Sequence, residues 1–172
     1  MCSSDLSIAI TLLAALIVLM IFFWVTEFKP MLGFIAVSPI LLVLLWVLGA
    51  MTLLDIPYNV VTALITALSI GIGVDYTIHV IHRFTEELEH GKPLMDATTT
   101  TLSTTGSALI GSALTTALAF AVLLLSPLLP FQQFGLVTGI TILFALIASI
   151  VVVPPMLLVW AAYHQWRAGM EH

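Results

Sequence analysis

The segment Gly71–His82 places a carboxyl group, a phenol and two imidazoles in an otherwise apolar stretch: Asp75, Tyr76, His79 and His82. Desolvation in hydrocarbon favours the neutral form of a carboxyl group, so Asp75 is predicted to take up and release a proton as its hydration changes. Tyr76 can both donate and accept a hydrogen bond. We therefore interpret Asp75 and Tyr76 as a proton relay, which a membrane potential would drive with about 2.3 kcal/mol per charge per 100 mV.

Helical periodicity assigns these side chains to two adjoining stripes. At about 100° per residue, one stripe carries Gly71, Asp75, His79 and His82. The adjoining small and polar stripe carries Thr62, Thr66, Ser69, Gly73 and Tyr76. We expect both stripes to face protein rather than lipid. A packing role for Asp75, as a buried carboxyl group satisfied by hydroxyls, is the competing interpretation. For His79 and His82, a proton-entry role and no role are equally open.

A second segment supplies a surface against which these stripes can pack. Small residues recur there every four positions, at Ser107, Gly111, Thr115 and Ala119. This spacing permits close approach of two membrane helices. Ser112, Thr115 and Thr116 are predicted to support the relay through hydrogen bonds to Asp75, although ordinary tight packing is an open alternative for each. Gly71, Gly73 and Gly111 are predicted to be helix-packing positions.

Composition shows which elements must position these residues. Of 172 residues, 61% are hydrophobic and 8% are charged, a balance that excludes an ordinary soluble domain. No charge occurs in 6–26, 30–54 or 97–166, and a bilayer-spanning helix needs about 20 apolar residues. We predict an all-α integral membrane protein whose domain, residues 6–166, has five transmembrane helices, at about 6–26, 31–54, 60–84, 97–125 and 134–163. Residues 1–5 are interpreted as a non-native N-terminal remnant, and 167–172 as a cytoplasmic tail.

Short polar segments separate these predicted spans. In the connector 85–96, Gly91 is predicted to cap one helix and Pro93 to precede the next. Turns are also predicted at 27–30, 55–59 and 126–133. Alternate threading puts all four basic residues on one side, which the positive-inside rule makes cytoplasmic: Lys29, Arg83, Lys92 and Arg167. The N-terminus is then outside and the C-terminus cytoplasmic, in a multi-pass protein of the cell (inner) membrane.

Several other functions are disfavoured by the residues present. The single cysteine, Cys2, has no partner for a disulfide or a thiolate metal site. No basic surface indicates nucleic acid. A redox or metal enzyme using His79 and His82 would need facing histidines on separate helices for haem ligation, and only His164, at the end of the last predicted span, is available on another one. A channel would need polar stripes on more than two spans. We predict no enzyme activity, no cofactor and no metal.

Three parts of the sequence resemble the resistance-nodulation-division (RND) superfamily, specifically the branch of lipid and hydrophobe exporters (MMPL-like proteins), which is similar to sterol-sensing proteins. They are Gly71–Tyr76, Gly106 with Gly111–Thr116, and Pro127–Gly135. Members have two repeats of six helices, and this chain is similar to helices 2–6 of one repeat. The resemblance implies a proton-driven exporter of lipids or hydrophobic amphiphiles, with Asp75 and Tyr76 in the proton relay.

The resemblance also implies partners that this sequence does not contain. They are the other repeat, a periplasmic porter domain and a lipid or other hydrophobic substrate, within the lipid bilayer; a homo-oligomer is left open. The alternative function is a non-transporting, sterol-sensing-like module that senses lipid or acts as a scaffold. In that case, neutralising Asp75 would leave function intact.

Overall fold

The computed structural model of the protein describes residues 17, 21, 30–57 and 60–168. The described chain is helical apart from short turns and contains no strand. The helices are α1 (Pro30–Leu53), α2 (Val60–Glu89), α3 (Leu94–Thr101), α4 (Ser107–Ala121), α5 (Leu129–Ile147) and α6 (Val153–Ala168). A π-helical segment, Leu102–Gly106, joins α3 to α4, a second one, Ala148–Val152, joins α5 to α6, and a 3₁₀ turn, Val122–Leu125, follows α4.

Long apolar helices confirm the predicted all-α membrane class. Three helices in the described part of the chain are long and apolar enough to cross a bilayer: Met31–Leu53, Leu94–Leu125 and Leu129–Tyr163. α2 adds a fourth long helix of 30 residues. Of the predicted span 6–26 only Ile17 and Ile21 are described, and residues 1–5 and 169–172 lie outside the described residues. The structure therefore supports a multi-pass helical protein without establishing five spans.

At three points the helices extend beyond the predicted membrane spans, in each case into polar sequence. α2 runs to Glu89 rather than ending at Phe84, and the next helix starts at Leu94 rather than at Ala97. α5 starts at Leu129 instead of Phe134, so the irregular turn is only 126–128. Proline is tolerated in a first helical turn, where its missing N–H has no intrahelical acceptor, and Pro130 occupies this position.

The connector after α2 has the predicted glycine cap. Gly91 adopts a φ of 79°, in the left-handed region that glycine enters without a steric penalty. Its N–H donates to Leu88 O (3.0 Å) and the Lys92 N–H donates to Glu87 O (3.2 Å), the paired bonds of a Schellman motif. Pro93 then precedes the first helical residue of α3. Both sequence predictions for this connector are confirmed.

The same motif ends α1, but with an aspartate in the glycine position. Asp55 has a φ of 52°, which a short polar side chain tolerates better than most. Its N–H donates to Thr52 O (3.4 Å), and the Ile56 N–H donates to Met51 O (3.0 Å). Ile56 also packs on the core, so the chain leaves α1 in a fixed direction.

The core lies where α1, α2 and the continuous helix formed by α5 and α6 meet. Fully buried side chains come from each of them, including Val43, Val47, Ile81, Ile142 and Leu157. Trp46 of α1 meets Phe144 of α5 edge-on, with ring centroids 5.4 Å apart. In contrast, α4 buries only Leu109 and Ala113 and packs mainly on α5. Much of α4 is therefore open to whatever surrounds this bundle.

Gly135 marks the closest approach of α5 to the helix before it. A Cβ at this position would lie 2.5 Å from Phe120 O and 2.7 Å from Leu123 Cβ. A Cβ added at Gly139, one turn later on α5, would have only Ala117 O nearby, at 3.9 Å. The two glycines face the same neighbour, but only the first is required by the contact.

Gly135→Ala is expected to lower the free energy of unfolding by about 2 kcal/mol, because backbone must move to admit the methyl group. Gly139→Ala is the matched control and should be neutral or stabilising, since alanine is the better helix former by up to about 1 kcal/mol. Denaturation of both variants by SDS in mixed micelles, followed by far-ultraviolet circular dichroism, measures the difference. Equal effects at the two positions would contradict the close approach.

Candidate functional site

α2 places Asp75 at its midpoint, on an uncovered face. Fifteen residues separate Asp75 from the first residue of α2, and fourteen from the last, so about 21 Å of helix lies on either side. Asp75 is exposed, as are Gly71, His79 and His82 on the same stripe. No described residue hydrogen-bonds or ion-pairs with the Asp75 carboxyl group. The expectation that this stripe faces protein is therefore not met by any described helix of this chain.

The adjoining stripe is buried against α1 and the second π segment. A Cβ on Gly73 would lie 3.9 Å from Ile40 Cγ1, and Tyr76 is 7% exposed. The Thr77 hydroxyl donates to Gly73 O (3.1 Å) and lies 3.3 Å from the Ser149 hydroxyl. The side chains of the other stripe members, Thr62, Thr66 and Ser69, lie outside the described residues. α2 is thus fixed on one side and open on the other.

Ser112 is the one of the three predicted support residues on α4 that lines a groove together with Tyr76. The Thr115 and Thr116 hydroxyls instead donate to their own helix, at Gly111 O (2.8 Å) and Ser112 O (2.9 Å). Their hydrogens are therefore committed locally, and in this chain they do not act on Asp75.

The three predicted packing glycines also differ, in this case in their burial. Gly73 is buried, whereas Gly71 and Gly111 are exposed, and a Cβ added to either of them would have no other atom within 4 Å. Ser107, Thr115 and Ala119 of the small-residue stripe are exposed as well. This stripe therefore does not mediate a close contact between helices of the described chain.

A polar groove opens between α2 and the helix formed by α3 and α4. It has a volume of about 480 Å³ and reaches from the Tyr76 hydroxyl towards the charged end of α2. The groove was not predicted from the sequence, because part of its lining comes from the threonine-rich start of the helix formed by α3 and α4. Its lining is Tyr76, His79, Arg83, Thr104, Thr105, Ala108, Leu109 and Ser112.

Arg83, at the far end of this groove, belongs to an ion-pair cluster with Glu86, Glu87 and Lys92. The guanidinium lies 2.8 Å from Glu86 Oε2 and 2.5 Å from Glu87 Oε1, and Lys92 Nζ lies 2.6 Å from Glu87 Oε2. Glu87 is only 3% exposed. The spacing of Arg83 from both glutamates, three and four residues on a helix, is a readable signal of such pairing. The sequence prediction uses these cations only to orient the chain and does not anticipate the cluster.

The cluster also determines the charge state of Glu87. The hydrogen bond from the Lys92 ammonium, together with the positive charges of Arg83 and Lys92, outweighs burial and holds the pKa of the Glu87 carboxyl below its ordinary value. Lys92 Nζ also lies 3.4 Å from Thr100 Oγ1, which ties the connector to α3. Glu87 therefore stays ionised and fixes the position of Arg83 beside the groove.

Within the described residues, no group of three His, Cys, Asp or Glu side chains could hold a metal ion. His79 and His82 lie on one exposed stripe of α2, and the side chain of His164 is outside the described set.

Comparison with known proteins identifies a matching family and several similar proteins. The sequence matches the model of the MMPL family over residues 2–170. It is similar to a membrane protein of Methanocaldococcus jannaschii, with 34% identity over 157 residues, 91% of this chain and 39% of the relative. It is also 32% identical to a Niemann-Pick type C1-related protein of Toxoplasma gondii over 130 residues, 76% of this chain and 11% of that protein.

A human relative, protein patched homolog 2, is 32% identical over 129 residues, which are 73% of this chain and 11% of that protein. The chain therefore spans between about a tenth and two fifths of the length of these relatives. The region matched by the family model includes both Asp75 and the groove on α2.

Replacing Glu87 by glutamine is expected to lower the midpoint of thermal unfolding in detergent micelles at neutral pH, because an amide cannot pair with two cations. Glu89→Gln, at an exposed position of the same helix, is the control and should change the midpoint of thermal unfolding less. Since the pKa of Glu87 is lowered by folding, its stabilisation is present above the ordinary carboxyl pKa and is lost as the pH falls through the lowered value. The difference between wild type and Glu87→Gln should therefore shrink on acidification; a constant difference would contradict the ion-pair assignment.

Proposed function

Because this chain belongs to the MMPL family, we propose that it is the transmembrane part of a proton-driven exporter of lipids or other hydrophobic amphiphiles, in which Asp75 and Tyr76 relay protons. It is a multi-pass membrane protein of a transporter family. In the proposed topology it lies in the cell membrane with its N-terminus outside and its C-terminus in the cytoplasm. It works with a second repeat and a periplasmic porter domain of a longer protein.

The observation that carries this proposal is a carboxyl group midway along a membrane helix, without a partner among the described residues. Asp75 is exposed, while the neighbouring Tyr76 is buried and lines the groove that Ser112 also lines. An aspartate at the centre of a membrane helix costs about 2.5–3.5 kcal/mol on insertion scales. Lipid would be a poor neighbour for the face that also carries His79 and His82. We infer that the second repeat covers this face in the complete exporter.

The geometry suggests how a proton would be coupled to movement. Protonation makes Asp75 neutral, which favours a drier contact with the covering helix, and deprotonation favours a wetter one. One proton crossing with the membrane potential supplies about 2.3 kcal/mol per 100 mV, which shifts a two-state equilibrium by more than tenfold. Tyr76 is buried and shares a groove with Ser112, so its ring has little freedom to move through this cycle.

A second candidate function is a lipid-sensing or scaffold module without transport. Its support is the resemblance to sterol-sensing proteins, together with the similarity to a Niemann-Pick type C1-related protein and to a patched homolog, each of which aligns with most of this chain. The sensing module would use the exposed α2–α4 face as a docking surface and would not need a titrating carboxyl group. The two candidates therefore differ in what removal of the Asp75 charge does.

Asp75→Asn in the full-length parent gene is expected to abolish export, because an amide cannot carry a proton. Asp55→Asn is the control: it removes a carboxyl group at the end of α1 and keeps a side chain that tolerates the positive φ. Envelope lipids of a deletion strain complemented with each gene are compared, together with the amount of protein in the membrane. Wild-type export by Asp75→Asn would reject the proton relay and favour the sensing module.

A further inference from the structure

The groove beside Tyr76 is polar, unlike the groove on the other half of α4. Six of its eight lining residues carry a hydroxyl, imidazole or guanidinium group, and the exceptions are Ala108 and Leu109. The other groove, of about 300 Å³, is lined only by aliphatic residues and glycines, among them Leu114, Leu118 and Gly139. One helix therefore presents a polar groove near its start and a wholly apolar one near its end.

The polar groove follows α2 from the charged end to the predicted relay. Arg83, His79 and Tyr76 line it in that order, so its length along α2 is about 10 Å. His79 is one helical turn from Arg83 and one turn from Asp75. His82 is exposed and is not part of the lining. The groove therefore distinguishes between two histidines that the sequence alone could not separate.

Water fits this groove better than hydrocarbon does. Arg83 Nε is buried without a hydrogen-bond partner among the described residues, although the terminal nitrogens of the same side chain are paired with glutamates. A buried guanidinium N–H without a protein partner is ordinarily satisfied by water. The volume of about 480 Å³ is many times the roughly 10–15 Å³ that one water needs.

The first π segment forms one wall of the groove. Thr104 and Thr105 belong to Leu102–Gly106, where the helix carries an extra residue per turn. Such segments interrupt the regular backbone hydrogen bonds and are frequent at functional sites. The Thr104 hydroxyl donates to Thr100 O (2.7 Å), which leaves its oxygen lone pairs free to accept from a water in the groove.

We propose that this groove is a water-filled access path between the Arg83 end of α2 and the Asp75–Tyr76 pair, and that His79 passes protons along it. His79 takes a proton from groove water on one ring nitrogen and releases one to water beside Asp75 from the other, so the imidazole ends neutral. The purpose of the path depends on the proposed proton relay, but its hydration does not. Arg83, held by Glu87, keeps the entrance open and polar.

Cysteine labelling tests the hydration of the groove. In a Cys2→Ser background of the full chain in native membranes, single cysteines are placed in the groove, at Thr105, Ala108 or Ser112, and in the apolar groove of the same helix, at Leu114 or Leu118. A charged, membrane-impermeant methanethiosulfonate reacts only with hydrated, ionised thiols, so the first three should react at least about tenfold faster. Equal rates at all five positions, fast or slow, would overturn the water-filled path.

Matched histidine variants test the proton path. In the full-length parent, His79→Ala is expected to slow export by at least about 100-fold, the lower end of the range for removing a proton-transfer group, and His82→Ala to change it less than about twofold. Equal effects of the two variants would overturn the assignment to His79. If the groove labels but Asp75→Asn still exports, the proton relay fails and the hydrated groove stands. If the groove is dry and Asp75→Asn is inactive, the access path fails instead.

Discussion

A carboxyl group halfway along the 30-residue helix α2, with no partner in the described part of its own chain, is the constraint on which this structure depends. Hydrocarbon cannot solvate the ionised form, so Asp75 needs either a covering surface or water. The helix that carries it is anchored on its opposite side, where Gly73 and Thr77 pack against α1 and the second π segment. This anchoring fixes the direction of Asp75 and leaves its face open.

The helical class and several helix ends were readable from sequence, because apolar length, glycine caps and prolines act locally. Gly91 and Pro93 behave as predicted. The family resemblance drawn from Gly71–Tyr76 is confirmed by a match that covers nearly the whole chain. The helices reach beyond the predicted spans at Leu94 and Leu129 for a common reason: the span limits lie at polar residues and a proline, and a first helical turn accepts both.

The site was harder to predict, because periodicity assigns residues to a face but does not say what the face meets. The α4 stripe has the spacing of a packing surface, yet Gly111 and Thr115 are exposed. Hydroxyl groups add a second ambiguity: Thr115 bonds to its own backbone, whereas Ser112 faces the groove beside Tyr76. Sequence alone cannot separate these, since a serine or threonine hydroxyl can bond to its own helix or face a neighbour.

Two carboxyl groups on α2 meet the cost of leaving water in opposite ways. Glu87 is buried and paired with two cations, which holds the pKa of its carboxyl group low and keeps it ionised. Asp75 has no such arrangement, since its side chain is exposed and no described cation pairs with it. The same helix therefore carries one carboxyl group whose cost is met within this chain, in a cluster that also holds Arg83 in place, and one whose cost is left to whatever covers the open face.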